Sequence, residues 1–168
     1  RKTAYDLVAV DKGGRLINMD AQAPNQVFHE WAAAGKFLPQ LTLIRPECRF
    51  GASRFDFYLE AGEKKIFLET KGVTLEEKNG AFFPDAPTER GVKHVEELIS
   101  CREAGYGAYL FFVIQLEGVD YFSPNDKTHP EFGAALRRAQ AAGVQLIAYD
   151  CVVSPNALEL HRPVEIRL

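Results

Sequence analysis

The sequence predicts a single α/β domain of the α+β type, in which helices flank a mixed β-sheet. Residues 55–60 and 65–71 alternate apolar and polar side chains around a short turn, a pattern typical of an antiparallel hairpin. A helical segment then precedes residues 109–115, a continuous apolar run typical of a parallel strand buried on both faces. A hairpin, a crossover helix and a buried parallel strand together give a sheet of mixed direction.

The first third of the chain predicts a hairpin, a helix and a strand. Residues 5–10 and 16–19 flank a turn-rich stretch at 11–14 and are expected to pair. Asn25 is predicted to cap a short helix that ends at Gly35, and residues 41–45 form a short strand candidate.

The second half predicts two helices and two further strands. Residues 72–87 are expected to form a loop, and Thr88 is expected to cap the helix that follows it. A second helix begins at His129-Pro130 and runs to Ala142. Residues 144–153 and 158–168 close the chain as strands.

Composition limits the function classes. The chain has 168 residues, 46% of them hydrophobic, which is enough for one domain with its own core. A net charge of −3 provides no general attraction to nucleic acid, so such binding requires a local basic patch. No apolar run is long enough for a membrane span, no signal peptide is evident, and three scattered cysteines indicate free thiols. A cytoplasmic protein without a membrane partner is therefore expected.

The predicted hairpin places two carboxylates against each other. If Gly62 and Glu63 form the turn, Asp56 lies directly opposite Glu69, with Lys71 on the same face. Opposed like charges destabilise a sheet, and Mg²⁺, or Mn²⁺ in its place, would offset the repulsion. Lys71 could then orient or help deprotonate a metal-bound water. This arrangement suits phosphodiester hydrolysis.

The apolar face of this hairpin is expected to hold Phe55, Phe57 and Leu59. An ordinary solvated surface with cross-strand ion pairs is the alternative interpretation of the charged face. Tyr58 and Phe67 share that face, which favours one that is partly covered.

Further charged residues near this hairpin are candidates for substrate contacts. Arg54, Arg90 and Lys93 are candidate phosphate contacts, although Glu89 and Lys93 also fit a surface ion pair four residues apart on a helix. The remaining candidate accessory residues are Glu30, Asp85, Glu89 and His94, with Glu30 considered as a third carboxylate.

Three segments carry a family resemblance: SRFDF at 53–57, ETKGVTL at 69–75 and FPDAPTERGVKH at 83–94. They resemble the sugar fermentation stimulation protein A family, over nearly the whole chain from about Asp20 onward. The family is similar to PD-(D/E)XK nucleases, in which an Asp and a Glu-x-Lys motif on a central hairpin bind magnesium. The resemblance thus implies a restriction-endonuclease-like fold over residues 1–168, with Asp56, Glu69 and Lys71 at its site.

Two functions are compatible with the resemblance and the residues. The first is a magnesium-dependent nuclease acting on nucleic acid, most simply DNA. The second is a non-catalytic DNA-binding regulator of sugar metabolism that keeps a nuclease fold. The resemblance also implies a small upstream β-barrel domain similar to an OB-fold, and the chain is expected to begin after it.

Overall fold

A computed structural model describes residues 4–168. A six-stranded sheet lies at its centre, and a four-stranded sheet and a two-stranded hairpin accompany it. In chain order the elements are β1 (Ala9–Lys12), β2 (Arg15–Asn18), α1 (Ala23–Ala33), β3 (Leu41–Phe50), β4 (Ser53–Ala61), β5 (Lys64–Val73), β6 (Leu75–Glu77), β7 (Gly80–Phe83), α2 (Glu89–Glu103), β8 (Gly107–Ile114), β9 (Tyr121–Pro124), α3 (Pro130–Ala141), β10 (Gln145–Ser154), β11 (Ala157–Pro163) and β12 (Glu165–Ile166).

The central sheet is mixed, as the sequence predicts. Its strand order is β11-β10-β8-β5-β4-β3, with β5, β8 and β10 parallel and the flanking pairs antiparallel. The last five residues of β8 are buried, and the strand lies between two parallel neighbours, so the predicted doubly buried strand is confirmed. The α/β fold class is confirmed with it.

Two hydrophobic clusters cover the two faces of this sheet. On one face α1 contributes Val27, Phe28 and Ala32, which pack on Phe57 and Leu68 among others. On the other face α2 and α3 pack over a separate cluster that includes Phe67, Phe112 and Leu136. The carboxylate pair of the hairpin therefore lies in a sheet that has helices on both sides.

The predicted hairpin register is confirmed where the two strands pair. Ala61 is opposite Lys64, Tyr58 is opposite Phe67, and Phe57 is opposite Leu68. The prediction for Phe55 was wrong, because Phe55 belongs to the cluster under α2, with its ring 5.7 Å from that of Phe67. The alternation of faces along β4 breaks at Asp56. The pairing of β3 with β4 includes Pro46↔Phe57 and Cys48↔Phe55, but the pair of Glu47 with Asp56 between them is missing.

The greatest departure from the sequence prediction is the second sheet, in the order β12-β9-β7-β6. It contains β6 and β7, where a loop was expected over 72–87. It also divides the predicted last strand, because β11 joins the central sheet whereas β12 pairs with β9. These strands are two to four residues long and depend on partners distant in sequence, so their local alternation is too short to indicate them.

Several smaller predictions can be compared with the structure. The first hairpin forms, with β1 starting at Ala9. Helix α1 begins at Ala23, so Asn25 lies in its first turn instead of capping it. Thr88 caps α2 as predicted, accepting from the Gly91 amide, and all three cysteines are free. None of the helices within residues 4–168 is long and apolar enough to cross a membrane.

Candidate functional site

The candidate site lies where β4 and β5 separate. Their paired register extends to Phe57↔Leu68, while β5 continues beside β8 through Glu69↔Leu110 and Lys71↔Phe112. Beyond that point side-chain carboxylates accept from the backbone amides of the opposite strand. The Asp56 amide donates to Glu69 Oε2 at 3.2 Å, and the Thr70 amide donates to Asp56 Oδ2 at 2.8 Å. The fork thus brings the two predicted carboxylates together, but not as the directly opposed pair on one face that was expected. Asp56 contacts Asn25 on the α1 side, and Glu69 contacts His94 on the α2 side.

Asp56 is held from the α1 side of the fork. Asn25 Nδ2 donates to Asp56 Oδ1 at 3.1 Å, and the Thr70 hydroxyl lies 3.0 Å from Asp56 Oδ2. Thr70 Oγ1 also contacts Asn25 Oδ1, so the three side chains form a closed ring. Burial, followed by the nearby charge of Glu69, raises the pKa of Asp56, although the bonds from Thr70 and Asn25 partly oppose this.

Glu69 is held from the α2 side. It is 3% exposed, and its Oε1 lies 2.7 Å from Lys71 Nζ and 2.6 Å from His94 Nδ1. Burial by itself raises the pKa of Glu69, but the hydrogen bond from His94 and the charge of Lys71 outweigh it, so the pKa is lowered overall. Glu69 is therefore an ionised carboxylate with two cationic or hydrogen-bonding partners, and its Oε2 faces Asp56.

The negative charges of the two carboxylates are not balanced equally by neighbouring groups. Lys71 and His94 both contact Glu69, whereas Asp56 has only neutral donors and a raised pKa. A bound cation beside Asp56 would remove this imbalance. Among residues 4–168 no group of three or more His, Cys, Asp or Glu side chains is arranged to hold a metal ion. Two carboxylates suit Mg²⁺, which keeps several waters and takes one or two protein carboxylates together with substrate phosphate oxygens.

The other predicted site residues are divided between the site and the surface. His94 of α2 is buried beside Glu69, whereas Arg90 and Lys93 on the first two turns of that helix are exposed. Arg54 is exposed and lies two residues before Asp56 on β4. The remaining candidates are exposed: Glu30, which is bonded to Gln26 on α1, Asp85 before α2, and Glu89 at its first residue.

Asn25 and Thr70 were missed as site residues. Thr70 points to the face opposite its neighbours Glu69 and Lys71, so no alternation pattern groups it with them. A Cβ on Gly72 would lie 2.4 Å from Gln115 Oε1 and 2.8 Å from the Pro24 ring. Glycine therefore allows Gln115 and the start of α1 to lie against β5. The glycine after Glu-x-Lys was the available sequence signal for this close approach.

Thr70→Val is expected to destabilise the free protein by about 1–3 kcal/mol, because it leaves Asn25 and Asp56 without the hydroxyl between them in a partly buried ring. Denaturant unfolding in chelator measures the change. Thr42→Val on β3 is the matched control, since the Thr42 hydroxyl is exposed and its hydrogen bond to the Glu60 carbonyl is long, at 3.4 Å. Equal effects at the two positions would contradict a structural role for the ring.

Comparison with known proteins identifies the family. Residues 22–157 match the profile described as the "Sugar fermentation stimulation protein RE domain". The chain belongs to the SfsA family. A sugar fermentation stimulation protein homolog of Ruminiclostridium cellulolyticum is 54% identical over 168 residues, covering all of this chain and 74% of the relative. A homolog from Desulfitobacterium hafniense strain DCB-2 is 55% identical over the same length, covering 73% of that protein.

A solved SfsA structure has the same fold. The structure of Pyrococcus furiosus SfsA in complex with Ca²⁺ superposes with a TM-score of 0.92 at 28% identity, covering all of this chain and 74% of that one. The matched SfsA segment contains α1, the β4–β5 fork and α2. All the side chains of the candidate site therefore lie within the part of the chain that defines the family.

Proposed function

We propose that this SfsA-family chain is a magnesium-dependent nuclease that hydrolyses phosphodiester bonds in nucleic acid, most simply DNA. The observation that carries the proposal is the strand fork, where a partly buried and a fully buried carboxylate meet beside one lysine. A binding module gains nothing from two carboxylates at a surface meant for phosphates.

Asp56 and Glu69 are the residues that would hold the metal. Mg²⁺ and Ca²⁺ are both hard cations that take oxygen ligands, so the Ca²⁺ complex of the Pyrococcus protein supports a cation site in this family. The bound ion would supply charge neutralisation at the phosphate and a more acidic water. The Thr70 and Asn25 bonds fix the orientation of the Asp56 carboxylate, and His94 fixes that of Glu69.

Lys71 is the group of this chain that acts on the reaction. Its ammonium lies 2.7 Å from Glu69 Oε1, and this ion pair holds it at the fork. From there it can orient the attacking water and stabilise the negative charge that develops on the phosphate. Its side chain is 15% exposed, so solvent screens this charge less than it would at an open surface.

The direct test is cleavage of end-labelled single-stranded DNA, duplex DNA and RNA with Mg²⁺, with Mn²⁺ or with EDTA. We expect the wild type to cleave at least one substrate in a metal-dependent manner. Lys71→Ala, purified in parallel, should not cleave it. The parallel variant excludes a contaminating nuclease. Binding without cleavage under all conditions would instead indicate the non-catalytic DNA-binding regulator.

Arg90→Gln and Lys93→Gln are each expected to weaken nucleic-acid binding and to make its logarithmic salt dependence shallower by about 0.7–0.9, as one lost phosphate contact does. Both side chains are exposed, and Arg90 lies one turn before His94 on α2, on the side of the helix that leads to Glu69. Fluorescence anisotropy over a salt series measures the slope. Arg137→Gln on α3, where the guanidinium is bound to Asp126, is the control and should leave the slope unchanged.

A further inference from the structure

Two arginines oppose each other at the tip of the β3–β4 hairpin. Arg49 is the direct cross-strand partner of Arg54, next to the closing pair Phe50↔Ser53. Directly opposed residues have Cβ atoms about 4.5–5.5 Å apart, and like charges at that distance destabilise the sheet. The pairing of these two cations thus has a cost in the free protein.

Little within the protein offsets this repulsion. Arg54 is 3.9 Å from Glu47, with the two side chains 56% and 75% exposed, so the ion pair is weak. Within residues 4–168, Arg49 has no carboxylate partner and is exposed. The guanidinium groups are therefore available to an anion from outside.

The arginine pair lies on the same side of the sheet as Asp56. Cys48, Phe50 and Phe55 pack into the cluster under α2, so their chain neighbours Arg49 and Arg54 point to the opposite face. Asp56 meets Asn25 of α1 on that face. Along β4, Arg54 and Asp56 are two residues apart, which corresponds to about 7 Å between their Cα atoms.

We propose that Arg49 and Arg54 together form a phosphate-binding clamp beside Asp56, which holds a backbone phosphate of the nucleic acid next to the one that is cut. The clamp rests on the proposed nuclease function and adds Arg49 to its binding residues. Guanidinium groups suit this role because their planar fork binds phosphate oxygens in a bidentate manner. A bound phosphate would also remove the repulsion within the pair.

The test is binding of a short fluorescein-labelled DNA, in duplex and single-stranded form, with EDTA present so that nothing is cut. Arg49→Gln and Arg54→Gln are each expected to raise Kd about tenfold and to make the salt slope shallower by about 0.7–0.9. Arg45→Gln is the matched control. Arg45 is exposed on the same strand, but it lies over the Tyr58 ring on the other face and should leave both values unchanged.

Stability of the free protein gives an independent readout. Each single Gln variant should unfold at a temperature equal to or above that of the wild type, because it removes a like-charge contact. In the double variant, the second substitution should raise the unfolding temperature by less than the same substitution does alone. A marked fall in unfolding temperature in either single variant would assign these arginines a structural role and overturn the clamp.

The outcomes separate this inference from the nuclease proposal. If the variants bind DNA as the wild type does while metal-dependent cleavage persists, the clamp is wrong and the nuclease proposal stands. If Arg49→Gln, Arg54→Gln and Arg45→Gln all weaken DNA binding equally, the DNA does not bind specifically to the face that holds the arginine pair, and the clamp is again wrong. If the wild type neither binds nor cuts any of the nucleic acids, both proposals fail.

Discussion

Lys71→Ala is expected to lower metal-dependent cleavage by about 10²–10⁴-fold, the range that a positioned acid–base group contributes. The loss should fall on the chemical step, because the ammonium acts on water and phosphate charge and is not a metal ligand. Glu69 keeps His94 at 2.6 Å in this variant, so its carboxylate should remain ionised and oriented. Initial rates at saturating substrate measure the effect.

Metal binding separates the role of Lys71 from that of the carboxylates. Thermal melts with increasing Mg²⁺ should show nearly the same gain in stability for Lys71→Ala as for the wild type. Lys65→Ala, an exposed lysine near the start of the same strand, should retain full activity. A variant of Lys71 that loses metal response in proportion to activity would contradict this division of roles.

Asp56→Asn is expected to reverse its effect on stability when Mg²⁺ is added. In chelator the variant should be as stable as the wild type or more stable by up to about 1 kcal/mol, because the repulsion between Asp56 and Glu69 is gone. The amide can keep the ring with Asn25 and Thr70 if the Asn25 amide turns over. With Mg²⁺ at about 100 times its Kd, the wild type should gain about 2.7 kcal/mol and the variant little.

The same comparison has a defined pH dependence. Burial and the charge of Glu69 raise the pKa of Asp56 above its ordinary value of 3.8, so the folded protein binds this proton more tightly than the unfolded chain does. Wild-type stability in chelator should therefore fall as the pH rises from 3.8 through the raised pKa. The advantage of Asp56→Asn should be complete above that interval and disappear below it.

Paired melts in chelator and in millimolar Mg²⁺ test this reversal. Glu60→Gln is the control, since Glu60 lies four residues further along β4 and bonds to Tyr58, away from the fork. If Asp56→Asn and the wild type gain equally from Mg²⁺, Asp56 is not a metal ligand.

Local pattern predicted the hairpin that carries the site. Alternation over two strands, with a glycine at the turn, is sufficient to set a register, because a slip of one residue would turn every apolar side chain to the wrong face. The pairs Phe57↔Leu68 and Ala61↔Lys64 are those that the register requires. The register brings Asp56 near Glu69, but the strands separate before this pair, so the two carboxylates lie on different sides of the fork.

Pattern failed where the backbone departs from ideal alternation. Phe55 changes face because β3 and β4 interrupt their pairing around Glu47 and Asp56, and Glu47 has a positive φ of 55°. Periodicity in sequence assumes an unbroken pleat, so it could not place Phe55, and it gave no reason to pair Arg49 with Arg54. That pairing is visible only in the register of the folded strands.

The sequence by itself determined a mixed sheet, a central hairpin and the three charged residues at its end, because each depends on contacts between near neighbours in the chain. Only the tertiary structure decided their surroundings. Asn25 and His94 reach the fork from helices 31 residues before Asp56 and 25 residues after Glu69, on opposite faces of the sheet. Packing of α1 and α2 sets those distances, and packing depends on the whole core instead of any local pattern.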